Sequence, residues 1–305
     1  MDIENKEPEK VTHKSVLVGE VLEYLAPKPG GVYLDVTFGV GGHTRAILEK
    51  EPNCSVIGLD WDDLALETYG VPMQEEFGER LTLLWGNFAL LYKLLKKAGV
   101  DKVDGILADF GTSQVQISTR PGFSVYLDTP LDMRMSPSHQ RTTAADLIQH
   151  ATEQELCEIF WQYGGEGRAR QIARAIVLER QTTRIKTTAQ LASIVERAAP
   201  EKMHRRVHAA TKVFQALRIY INKELDNITA FLAIALSLLK PDGRLVCISF
   251  HSLEDRLVKE FFKEQEQMQR IELLTPKGVV ASDEEIAANP SARSARLRAA
   301  QLVTK

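Results

Sequence analysis

The stretch Tyr33-Leu-Asp-Val-Thr-Phe-Gly-Val-Gly-Gly-His43 decides how the chain is read. Tyr33, Leu34 and Val36 make a short apolar run of the kind a buried strand shows, and the glycines after it open the backbone where a helix begins at Thr44. Having no Cβ, glycine lets a ligand meet the main chain directly. A dinucleotide fingerprint needs Gly-x-Gly-x-x-Gly to seat a pyrophosphate on the helix N-terminus. Here Gly39, Gly41 and Gly42 fall as Gly-x-Gly-Gly, and Thr44 stands at the third dinucleotide position. The turn therefore matches NAD poorly. It suits a ligand without phosphates that lies flat against it, with a carboxylate toward the helix start, and S-adenosylmethionine is such a ligand. The next strand, Ser55-Val-Ile-Gly-Leu59, ends in Asp60. An acid about twenty residues past the glycines is at the distance where a carboxylate meets a ribose hydroxyl.

A chain of 305 residues, 44% of them hydrophobic, can bury a full core as one large α/β domain or two smaller ones. Its first ten residues are charged and lack the apolar stretch of a signal peptide, and the longest apolar run, Ala230 to Leu239, is too short to span a bilayer. The expectation is a soluble, cytoplasmic protein without membrane contact. Cys54, Cys157 and Cys247 form no Cys-x-x-Cys pair, so neither a disulfide framework nor a zinc site is suggested, and no metal site is expected. The net charge of −3 hides an asymmetry: between Gly165 and Glu224 there are 13 Lys/Arg against 5 Asp/Glu. A basic surface on an otherwise acidic chain is the footprint of a polyanion site, although solvated helix faces produce the same count.

Taken in order, the chain alternates. A lead-in helix over 13–25 is followed by strand 33–37, helix 44–50, strand 55–60, a helix from about Asp62 to Tyr69 and strand 81–85. Helix 90–98 and strand 105–109 complete this part. Strands alternating with helices predict a doubly wound, mostly parallel sheet. Phe88 and Asp109 fall on its carboxyl edge, Phe88 where a ring can stack on adenine or simply join the core. The next convincing strand, Arg244 to Phe250, comes about 135 residues later, whereas a crossover needs only a dozen or more. Residues 115–206 are thus read as an inserted helical subdomain for substrate, with 1–114 and 207–305 forming the discontinuous sheet domain. Phe214, Leu217, Ile221, Leu225, Ile228, Leu232, Leu236 and Leu239 recur at steps of three or four, predicting one long crossover helix. Capping boxes at Thr152/Glu155 and Thr187/Gln190 start two of the insert's helices, and Arg168, Arg170 and Arg174 carry part of its basic excess. Residues 269–275 and 295–303 close a sheet of about seven strands.

Several longer motifs carry a resemblance. Asp35-Val-Thr-Phe-Gly-Val-Gly-Gly-His-Thr44, Pro130-Leu-Asp-Met-Arg-Met135, Thr211-Lys-Val-Phe-Gln-Ala-Leu-Arg-Ile219, Ile248-Ser-Phe-His-Ser-Leu-Glu-Asp-Arg256 and Asn289 to Arg298 resemble, in this order, the bacterial small-subunit (16S) ribosomal RNA cytosine-N4 methyltransferases. The likeness runs from about His13 to Arg298. It implies a Rossmann-like, S-adenosylmethionine-dependent methyltransferase with a helical insert. Its substrate would be a cytosine amine in the decoding region of small-subunit ribosomal RNA, naked or in an assembling subunit. It also implies cofactor contacts at Gly41, Gly42, His43, Asp60, Phe88, Asp109 and Gln116. Where the family reads Asp-Leu-Gly-Val-Ser-Ser-Pro-Gln, this chain has Asp109-Phe-Gly-Thr-Ser-Gln-Val-Gln116, and Ser136 replaces the acid that usually follows Asp-Met-Arg-Met.

An aromatic amine has its lone pair delocalised into the ring, so positioning and acceptors for its hydrogens supply most of the acceleration toward a sulfonium methyl. Methylation of a ring carbon would need a thiolate nucleophile, and no Pro-Cys dipeptide is present. Asp109 is the first candidate for orienting the amine and His251 for accepting a proton or touching RNA; Arg256 and Arg293 are candidates for phosphate. The competing readings are a non-catalytic RNA-binding or assembly protein on the same fold and an NAD-dependent oxidoreductase, which the glycine spacing discounts. A homodimer is left open.

Overall fold

The computed structural model describes residues 14–111, 117, 120–200 and 208–303. Helix α1 (Val18–Leu25) leads into strand β1 (Val32–Asp35), helix α2 (Gly42–Lys50) and strand β2 (Ser55–Asp60). A helical segment follows as α3 (Asp63–Ala65), a π-turn over Leu66–Gly70 and α4 (Val71–Phe77), longer than the 62–69 stretch expected. Then come β3 (Leu81–Trp85), α5 (Leu91–Lys97) and β4 (Val103–Asp109). The insert contributes α6 (Ala144–His150), α7 (Glu153–Gly164), α8 (Ala169–Glu179) and α9 (Thr188–Ala198), with the capping boxes at Thr152 and Thr187 formed as the sequence predicts. Helices α10 (Thr211–Asn222) and α11 (Glu224–Ala235) return the chain to β5 (Leu239–Ser249). Helix α12 (Ser252–Gln267), β6 (Ile271–Leu273), β7 (Val279–Val280), α13 (Asp283–Ala288) and β8 (Arg296–Leu302) complete the described chain.

The sheet runs β3-β2-β1-β4-β5-β8-β6, and the two-residue β7 pairs β8 beside this seven-strand path. The first five strands are parallel, while β8 is antiparallel to both β5 and β6. Alternation along the strands sends side chains to two separate cores. Leu34, Ile106, Leu245 and Cys247 pack with Phe231 and Val258 of α11 and α12. Tyr33, Leu107, Val246 and Ile248 pack on the other face with Val21, Ile47 and Met73 of α1, α2 and α4. Helices on both faces make the sheet doubly wound, as alternation of strands and helices implies. No described helix is long and apolar enough to cross a membrane.

The crossover differs from the single helix that the apolar stripe suggests. The chain breaks at Lys223, which takes a left-handed φ of 50° and caps both helices. Asn222 fixes the break: its amide donates to the carbonyls of Met133 and Arg218 at 2.8 Å each and its Oδ1 accepts from the backbone N–H of Met135 at 2.9 Å. The stripe consequently serves two cores. Val213, Phe214, Leu217 and Ile221 bury themselves with Phe160, Ile172 and Leu191 of the insert, whereas Ile228, Phe231 and Leu232 pack on the sheet.

Candidate active site

Strand order reverses between β1 and β4, and the crevice outside their carboxyl ends is the usual ligand position in open α/β sheets. A cavity of about 350 Å³ occupies it, walled by Thr37, Gly39 and Val40 after β1, Asp60 and Trp61 after β2, Asp109 and Phe110 after β4, and His251 after β5. Along the sheet edge the polar groups therefore succeed one another in strand order: Asp60, then Asp35 and Thr37, then Asp109, then His251.

The glycine turn is held rigidly. Asp35 is buried; its Oδ1 accepts from the Thr37 N–H at 3.1 Å and its Oδ2 from the Thr44 hydroxyl at 2.8 Å, fastening the strand end to the first turn of α2. Thr37 in turn accepts the Asp109 N–H at 2.7 Å, joining β1 to β4. Asp60 is 7% exposed and accepts the N–H groups of Gly39 at 2.7 Å and Asp62 at 2.9 Å. Burial outweighs these two bonds and pushes its carboxyl up to about 7.

Of the glycines, Gly39 lines the cavity, while Gly41 and Gly42 stand behind it in the packing. Gly41 has φ 79°, and a Cβ there would lie 2.5 Å from Met73 Cε and 2.7 Å from Phe38 Cζ; a Cβ on Gly42 would collide with the Ser15 hydroxyl. Phe88 lines the cavity and also meets Phe110 at a tilt and Phe231 edge-on, so it belongs to wall and core together.

His43, in the first turn of α2, is 5% exposed and neither ring nitrogen has a hydrogen-bond partner. Its Nε2 lies 3.4 Å from Asp109 Oδ2. Burial pulls the imidazole pKa down, but Asp109 and, behind it, Asp35 hold it above its ordinary value. Asp109 keeps a second buried oxygen, Oδ1, without a partner. Gln116 and His13 lie outside the described residues.

The remaining wall was not legible in advance apart from His251. It comprises Gln215 and Arg218 of α10, Glu224 and Asn227 of α11, and Glu254 of α12. Arg218 grips Glu224 with two bonds of 2.8 and 2.9 Å. Ligand atoms of Glu224, His251 and Glu254 lie within 4.8 Å of one another, but Arg218 takes both Glu224 oxygens, so the cluster is a poor cation cage.

A second concavity of about 650 Å³ adjoins the first, sharing Trp61 and Asn227 with it. Tyr163, Tyr220, His139, Arg141 and Lys223 line this groove, and Trp85 stacks at a tilt on His139 with centroids 4.9 Å apart. The basic residues expected for RNA are elsewhere. Arg170 and Arg174 are exposed on α8, Arg168 donates to the Pro200 carbonyl at 2.8 Å, and Arg256 and Arg293 are exposed; none of the five lines either concavity.

The profile of the MraW methylase family matches residues 10–303. The chain is 48% identical over 305 residues to a protein of Syntrophotalea carbinolica named ribosomal RNA small subunit methyltransferase H, covering 94% of this chain and 96% of that one. Proteins of the same name from Thermomicrobium roseum (45% identical, 98% and 96% covered) and Deinococcus deserti (47% identical, 97% and 95% covered) are similar along nearly their whole length.

Proposed function

This chain belongs to the MraW methylase family, and from that premise we propose that it is an S-adenosylmethionine-dependent methyltransferase acting on the exocyclic N4 amine of a cytosine in small-subunit ribosomal RNA. The observation that carries the reading is the cavity at the strand-order reversal, with unpartnered buried polar atoms on Asp109 and His43 at its floor and an aromatic, cationic groove at its side. A buried polar atom without a partner in the protein is rare, and at a cavity wall it is placed to meet a ligand or water.

The residues present fit the cofactor. Asp60 offers a carboxylate for ribose hydroxyls, the apolar Phe88 side of the cavity suits adenine, and Gly39 lets a ligand approach the main chain; Gly41, Gly42 and His43 hold the turn's shape. When bound, S-adenosylmethionine supplies an electrophilic methyl group. The chain's own task is placement. Asp109, fixed by Thr37, accepts a hydrogen bond from the cytosine amine and turns its lone pair toward the methyl, an interaction that strengthens as positive charge develops on nitrogen. Attack through a ring carbon would need a cysteine at the site, and none of the three lines the cavity.

RNA is gripped beside the cavity. Tyr163, Tyr220 and His139 provide faces on which unpaired bases stack, and Arg141 and Lys223 meet phosphates. Arg168, Arg170 and Arg174 on the insert extend the positive field, with Arg256 and Arg293 at its margin. Mass mapping of nucleosides in small-subunit RNA from cells with and without the protein tests the function: one N4-methylated cytidine present only with it is expected. An unchanged map alongside normal cofactor binding would return the chain to a non-catalytic assembly role.

A further inference from the structure

We propose that Glu254 and His251 together read the target base, admitting cytosine and rejecting uracil through one acceptor and one donor held side by side. The proposal rests on the methyltransferase reading above and names the residues that choose its substrate.

Glu254 is fully buried, and its two oxygens have different fates. Oε2 accepts the backbone N–H groups of Phe250 at 2.8 Å and His251 at 3.3 Å, closing the capping box that starts α12. Glu254 lines the cavity, and its Oε1 is buried and has no hydrogen-bond partner. His251 Nδ1 accepts the Glu254 N–H at 3.5 Å, which places the ring proton of the neutral imidazole on Nε2. That Nε2 is also buried without a hydrogen-bond partner, 3.2 Å from Glu254 Oε1. Glu224, the other acid of the cluster, has both oxygens taken by Arg218 and does not compete.

An acceptor beside a donor is the complement of cytosine's pairing edge, where the N4 amine donates and N3 accepts. Uracil reverses both: its O4 would face a carboxylate and its N3–H would face another N–H. A site whose buried polar groups are completed by the right base rejects the wrong one strongly, because the wrong base leaves them unpaired. The pair follows β5, next to Asp109 at the end of β4 and three strands along from the Asp60 end of the cavity. A base read there presents its amine to Asp109.

The test uses the full-length protein loaded with S-adenosylhomocysteine, so that no turnover occurs. The probes are single-stranded fragments of small-subunit RNA spanning the methylated position, carrying cytidine or uridine there. The wild type should prefer cytidine by about tenfold or more, the discrimination expected of one good bidentate pair. Glu254→Gln keeps the capping carbonyl, and its amide can donate to O4; it should reduce the preference to about twofold or less. His251→Asn, which retains a helix cap but loses the Nε2 donor, should also narrow it. Unchanged S-adenosylhomocysteine affinity shows that both variants are folded. Either an undiminished preference in Glu254→Gln or no preference in the wild type would overturn the pair. In a parallel assay with S-adenosylmethionine in place of S-adenosylhomocysteine, failure of the wild type to methylate the cytidine fragment would instead count against the enzymatic reading itself.

Discussion

Asp60 on β2 accepts the backbone N–H of Gly39 at 2.7 Å, so the acid assigned to the ribose also fastens the glycine turn. The two roles draw on different oxygens only in part, since Oδ1 holds the Asp62 N–H. Removing the carboxylate therefore affects the ligand and the shape of its seat together.

Asp60→Ala should weaken S-adenosylmethionine binding by at least about tenfold, a charge-assisted hydrogen bond being worth roughly 1.5–3 kcal/mol. The pH dependence is more diagnostic. With a folded-state pKa raised to about 7 from 3.8, Asp60 favours folding while protonated, and its contribution to stability falls as pH rises from about 4 to 7. Binding to ribose hydroxyls favours the carboxylate, so affinity should rise through the same upper limit. Calorimetric titrations between pH 6 and 8 should show tighter binding with pH in the wild type and a flat profile in Asp60→Asn; parallel profiles would refute the assignment.

Gly41→Val should lower the melting temperature and abolish cofactor binding. The backbone there has φ 79°, and Met73 and Phe38 already fill the space of a Cβ. Left-handed strain of about 1–2 kcal/mol adds to overpacking of about 1–3 kcal/mol. Thermal unfolding and a cofactor titration on one preparation would check this, and a variant with wild-type melting would show that the turn has room.

Asp109→Asn should reduce single-turnover methyl transfer by roughly a hundredfold, the effect of losing one preorganised electrostatic group, with cofactor affinity changed less. It also withdraws the charge 3.4 Å from His43, so the imidazole pKa should fall. Kinetics at saturation report the first effect and histidine NMR titration the second. Equal losses of rate and affinity would leave Asp109 as a binding residue alone.

Replacing Arg168, Arg170 and Arg174 together should weaken RNA binding and flatten its dependence on salt, each lost phosphate contact removing about one unit of slope. Replacing Arg141 and Lys223 in the groove should do the same over a shorter RNA. Cofactor affinity stays constant in both. If only the groove variant changes the slope, the arginines of α8 are a solvated face.

The half of the cavity built from strand ends was legible because each of its parts is local. Apolar runs end in Asp35, Asp60 and Asp109, and the glycines follow the first of them, so residue order alone brings these groups to one edge of the sheet. The other wall is not local. Glu224 reaches the cavity from the crossover and Glu254 from the first turn after β5, thirty positions on, and although Glu254 falls within a quoted motif, nothing local shows that these two of 41 acidic residues face one cavity. Lys223 hid the break between α10 and α11, because lysine is a good helix former and the apolar stripe stays in phase across it. The charge excess pointed to a polyanion site, but charge counts carry no direction, and the groove owes as much to Tyr163 and Tyr220 as to its cations.

The bend at Lys223 has a mechanical consequence. Arg218 stands on the insert side of it and Glu224 on the sheet side, and their two-pronged bond spans the corner like a gusset plate. Arg218 keeps some exposure to solvent while Glu224 is nearly buried, so the bond is screened less than one at the open surface. The helix that lines the groove and the sheet-side wall of the cavity are thus tied across one corner. Loss of either partner should therefore loosen the groove and the cavity wall together, seen as faster hydrogen exchange on both sides of the corner.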